Sequence, residues 1–80
     1  MDLQQLTPSL RECAILTYWR LPRPNGRTLV CTSYRTGAGL ELRVGVDGEL
    51  PVLTAVVATH ACALQLAEVW RQELLRAFAA

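Results

Sequence analysis

From Cys13 onward the chain alternates short stretches of β-branched and aromatic residues with clusters of turn formers. CAILTYWR, residues 13 to 20, reads as a first strand. It stops at LPRPNG, where Pro22 and Pro24 cannot donate to a central ladder and Asn25-Gly26 tolerates positive φ at both turn positions. A second strand is expected at RTLVCTSY, residues 27 to 34, and Thr36-Gly37-Ala38-Gly39 makes the next turn. LELRVGVD then alternates cleanly: Leu40, Leu42, Val44 and Val46 point one way, while Glu41, Arg43, Gly45 and Asp47 point the other. One face of this strand is core and the other is wet.

After Asp47-Gly48, residues 50 to 58 admit two readings. Pro51 suits the opening of a long helix. Val52, Thr54, Val56 and Val57 lose rotamer freedom in a helix, however, and favour a fourth strand. The helix then starts after Thr59, which serves as its N-cap. Over residues 60 to 78 the apolar side chains, among them Leu66, Trp70, Leu74 and Ala77, fall within an arc of about 180°, interrupted by Arg71 and His60. A surface helix needs a stripe of only about 100°. This one is wide enough to cover a sheet and touch something else.

The fold class expected is α+β: a four-stranded antiparallel meander with one C-terminal amphipathic helix packed on one face, forming a single domain over residues 13 to 80. Residues 1 to 12 are a tail or a short helical turn, the latter suggested by Thr7-Pro8 and by the capping-box spacing of Ser9 and Glu12.

Composition adds a constraint on assembly. A chain of 80 residues, 51% of them apolar, buries only roughly 60 to 65% of its unfolded surface, so apolar side chains are left over. Strand 1 carries Ile15 and Trp19 on one face and Ala14, Leu16 and Tyr18 on the other, whereas a single helix covers one sheet face only. These features predict a homodimer, with Tyr18 as the sheet contact and Leu66, Trp70 and Ala77 as helix contacts. No apolar run reaches the roughly 18 residues of a membrane span, and MDLQQLTPSL lacks the features of a signal peptide, so a cytoplasmic protein without membrane contact is expected.

Little in the chain points to reaction chemistry. Its three cysteines and one histidine match the composition of a zinc site, but Cys13, Cys31 and Cys62 lack paired spacing. His60 and Cys62, two apart, diverge by about 200° on a helix. Cys62 stands third in that helix, where backbone N–H groups favour a thiolate, yet no dyad geometry or orienting carboxylate accompanies it. The cysteines are read as free thiols, with Cys13 and Cys31 as apolar fillers and Cys62 buried or half-buried. The glycines of TGAGLELRVGVDG punctuate turns and do not open a helix as a phosphate loop does. No enzyme activity, metal or cofactor is expected.

The alternative function is nucleic-acid binding. Net charge is only +1, but all eight basic residues are arginine, and six of them between positions 11 and 43 face two glutamates, leaving that segment at +4. Arg20, Arg23, Arg27 and Arg35 lie among Tyr18, Trp19 and Tyr34, an arrangement that suits phosphate contacts and base stacking on a sheet. The layout, with VATHACALQLAEVW after the meander, resembles the small sheet-plus-helix domains with which tyrosine recombinases bind arm-type DNA sites. The resemblance implies DNA as a partner; those domains are usually more basic than +1. The principal expectation remains a small non-enzymatic interaction module that self-associates through a second apolar face.

Overall fold

The computed structural model describes residues 13–79. Strands β1 (Cys13–Pro22), β2 (Thr28–Thr36), β3 (Gly39–Val46) and β4 (Leu53–Val57) form one antiparallel sheet in the order β1-β2-β3-β4, and helix α1 (His60–Ala79) follows. This is the α+β meander-plus-helix architecture that the alternation predicts. The expected tail or helical turn over residues 1 to 12 lies outside the described residues.

The core forms where β3's alternation meets the helix. Leu42 and Val44 are fully buried, together with Cys31 of β2 and Ala63 and Ala67 of α1. The two alanines stand one turn apart on one stripe, and their small side chains let the helix backbone approach the sheet. Trp19, Leu53, Val57, Leu66, Trp70 and Leu74 pack around this centre. Trp19 also donates from Nε1 to the carbonyl of Ala67 at 2.8 Å, so its one polar atom is satisfied while it ties β1 to α1. Ser33 is the one buried polar side chain among the described residues, and its hydroxyl donates to the Leu16 carbonyl at 3.5 Å.

Strand β1 departs from the simple alternation. Its register against β2 shifts between Ala14 and Leu16 and again between Thr17 and Trp19. Each bulge adds a residue and resets the faces. Tyr18 and Trp19, expected on opposite sides, therefore both pack against the core. Leu16 and Ile15 remain exposed.

The β1–β2 hairpin also differs in turn type. Only Gly26 has positive φ, at 86°, and Asn25 does not. Pro24, whose ring fixes a negative φ, is the first central residue of a turn closed by Gly26 N–H donating to Arg23 O at 3.0 Å, so Asn25 and Gly26 are not the two central residues. Gly26 then takes the left-handed position, and Arg27 N–H is held by Asn25 Oδ1 at 2.9 Å.

Strand β4 is shorter than residues 50 to 58. The chain leaving the Asp47-Gly48 turn crosses the sheet surface at Gly45, where an added Cβ would lie 3.0 Å from the Pro51 Cα and 3.4 Å from the Leu50 carbonyl oxygen. Both neighbours are backbone and cannot swing aside. Gly45→Ala is expected to lower the unfolding free energy by about 1–3 kcal/mol, read as a lower urea midpoint at unchanged m-value.

Thr59 caps α1 as its position predicts: Cys62 N–H donates to Thr59 Oγ1 at 3.1 Å, and Ala63 N–H donates to the Thr59 carbonyl at 3.0 Å. On the solvent side, Glu68 accepts from Arg71 and Gln72. The Arg71 hydrogen bond, followed by that of Gln72, holds the Glu68 carboxyl down to about 2. Because this pKa is depressed, what these bonds contribute to the helix is present above the ordinary value of 4.5 and is lost as pH falls toward 2.

Candidate interaction surface

Among the described residues, the helix covers one face of the sheet, and no described element covers the other, open face. Register places Arg20, Val30 and Gly45 in one row of that open face, Thr17, Thr32, Arg43 and Thr54 in the next, and Ala14, Tyr34, Glu41 and Val56 in a third. Its centre is a small charged assembly. Arg43 donates to Glu41 at 2.9 Å, and its guanidinium lies 4.4 Å from the centroid of the Tyr34 ring. Thr17 and Thr32 hydroxyls meet across β1 and β2 at 3.3 Å. Beside Tyr34 and Arg43 the β3–β4 connection walls a cleft of about 110 Å³. That is well below the roughly 300–1,000 Å³ of small-molecule pockets.

The arginines selected from the sequence do not converge. Arg20 and Tyr34 share the open face. Arg23 instead lies 3.3 Å from the centroid of the Phe78 ring, joining the hairpin to the end of α1. Arg27 pairs with Glu49 across the β3–β4 turn. Arg35 stands opposite Leu40, whose side chain packs on the helix side of the sheet. Arg43, with its Tyr34 contact, belongs to the open face although no sequence argument singled it out; its position two residues from Glu41 on the polar side of β3 was the available signal.

The residues expected to contact a second copy are divided as well. Leu66 and Trp70 pack against the chain's own core, as does Tyr18, whose hydroxyl is buried with no hydrogen-bond partner. Ala77 is exposed. The large apolar side chains that are exposed lie elsewhere: Leu50, Val52 and Val56 around β4, Ile15 and Leu16 on β1, and Leu64, Val69 and Leu75 on α1. Leu50 is 87% exposed, Val52 64% and Val56 61%, so β4 and its approach form the most open apolar group.

Thiol placement corrects two expectations. Cys31 is a core filler, and burial pushes its thiol up to about 12. Cys13 and Cys62, however, are exposed: the first lies on the outermost strand β1, and the second points away from the sheet in the first turn of α1. Iodoacetamide at mildly alkaline pH is expected to add to Cys13 and Cys62 in the folded protein and to reach Cys31 only in denaturant, as intact mass will show. His60, beside Cys62, is exposed too. Among the described residues no three His, Cys, Asp or Glu side chains gather in a group fit for a metal ion. No helix among them is long and apolar enough to cross a membrane.

Compared with protein-family models, curated proteins and solved structures, the chain matches none.

Proposed function

We propose that the chain is a small non-enzymatic interaction module that works as a homodimer in the cytoplasm, where exposed cysteines persist as thiols. One observation carries this reading. Among the described residues, eight large apolar side chains are exposed around a core of five fully buried apolar residues, two of which are alanines. Isolated surface leucines and valines are ordinary, but Leu50, Val52 and Val56 lie within one seven-residue stretch at and just before β4, and a second subunit there removes apolar surface from water. Burying one such side chain fully contributes roughly 1.5–3 kcal/mol, and a symmetric interface counts each contribution twice. Native mass spectrometry of the full chain at about tens of micromolar should give twice the chain mass of 8.9 kDa. A purely monomeric mass there would end the proposal.

The second reading is nucleic-acid binding across the open face, favoured by Arg20, Tyr34 and Arg43 sharing that face. The engagement of Arg23 with Phe78 and of Arg27 with Glu49 speaks for structural use of those two arginines. On this reading affinity for mixed single strands falls steeply with salt and weakens in Arg20→Ala. Absence of binding at low salt would eliminate it.

A further inference from the structure

The two margins of the sheet are built differently. β1 carries two register shifts and Arg20, and it ends on Pro22, all of which discourage another strand from adding to it. β4, LTAVV, has no charged residue, no proline and no register shift, and no described strand lies beyond it. Four of its five residues are leucine, threonine or valine, with high strand propensity at three β-branched positions. An exposed margin of this kind is a template for pairing with a further chain.

What that further chain would be follows from charge and from pattern. Residues 50 to 67 contain no Asp, Glu, Lys or Arg. A strongly charged partner gains nothing there, whereas two copies meet without like charges opposed. The pattern is also symmetric about Thr54. Thr54 and Val56 of β4 lie on the open face, Leu53 and Ala55 on the helix side, and Val52, just before the strand, is exposed. An antiparallel pair centred on Thr54 sets Val52 opposite Val56 of the second copy, Thr54 opposite Thr54, and Leu53 opposite Ala55. β-branched and threonine pairs of this kind stabilise cross-strand contacts. Pro51 lies over Gly45 and stays outside the ladder, so its missing N–H removes no cross-strand bond.

We infer that β4 pairs antiparallel with β4 of a second copy about a twofold axis at Thr54, joining the two sheets into one of eight strands. The inference rests on the homodimer proposed above and names its interface. In the resulting assembly both open faces lie on the same side of one continuous sheet, and Val52 and Val56 are shielded by each other.

Charge placed on the axis tests it. Thr54 is exposed in the single chain, so Thr54→Lys and Thr54→Glu are tolerated by the fold. In the dimer each variant sets two like charges directly opposite, and each alone is expected to weaken dimerisation by about tenfold or more. An equimolar mixture should recover a mixed dimer at close to the wild-type concentration dependence. In a Cys13→Ser, Cys62→Ser background, Thr54→Cys should cross-link on mild oxidation, whereas Arg20→Cys on the opposite margin should not. If the wild type is dimeric but the charged variants dimerise unchanged, while Val69→Lys on α1 dissociates it, pairing through β4 is wrong and self-association stands. Loss of dimer without recovery in the mixture overturns the Thr54-centred pairing. A monomeric wild type overturns both proposals.

Discussion

Replacing Leu42 with alanine is expected to lower the unfolding free energy by about 2–5 kcal/mol, in the upper half of that range. Leu42 is fully buried at the centre of β3, opposite Ser33 on β2 and Ala55 on β4. The helix residues buried with it are Ala63 and Ala67. None of these small side chains can extend into the space a leucine leaves, so the cavity closes only if the helix or the large side chains packed around the centre shift. Total stability for 80 residues is about 4–12 kcal/mol, and the variant is therefore expected to be partly unfolded at 37 °C. Urea unfolding followed by far-UV circular dichroism reads this directly. A loss below about 1 kcal/mol would mean that the surroundings settle into the space, contrary to a core that depends on Leu42.

The second large effect falls at Trp19. Trp19→Ala is expected to remove about 3–5 kcal/mol, because the indole packs on the core and bonds α1. Trp19→Phe is the milder change. It retains an aromatic ring but loses the Nε1 donor and part of the indole's packing, while Ala67 O keeps its partner within the helix, so a loss of about 1–3 kcal/mol, smaller than for alanine, is expected. Equal losses for the two variants would mean that a smaller aromatic ring recovers none of the packing, contrary to this expectation. The contrast is measurable in one chemical-denaturation series.

Much of this architecture was legible from local pattern. Leu40, Leu42, Val44 and Val46 alternate with polar residues, and two of them are fully buried in β3. Thr59 was recognisable as a cap because a β-branched run ends there and a 3.6-residue periodicity begins. Features that depend on distant parts of the chain were not legible. The bulges of β1 are set by its pairing with β2, and nothing in CAILTYWR marks them. Pro24, two residues after Pro22, did signal a turn with proline as its first central residue, but Asn25-Gly26 is the louder motif. The shortened β4 follows from the passage of Pro51 over Gly45, a contact between two strands' ends.

The candidate surface was legible to a smaller degree. An excess of apolar residues over available interior followed from length and composition, but their location depended on where the helix lies. Trp70 and Leu66 sit on the inner side of α1 and contribute to the core, whereas Val56 of β4 shares the face opposite the helix with Glu41 and Arg43, and Val52 is exposed just before the strand. The arginines show the same dependence. Arg27 and Glu49 are 22 residues apart and pair only because the β1–β2 and β3–β4 connections lie at the same end of the sheet.

Sedimentation equilibrium of the full chain, from about 1 to 100 µM and at both low and about 1 M salt, tests self-association most directly. The account predicts a single reversible monomer–dimer equilibrium whose midpoint is nearly independent of salt, because β4 and its flanks carry no charge. A monomer at every concentration, or an association that disappears in high salt, would contradict it.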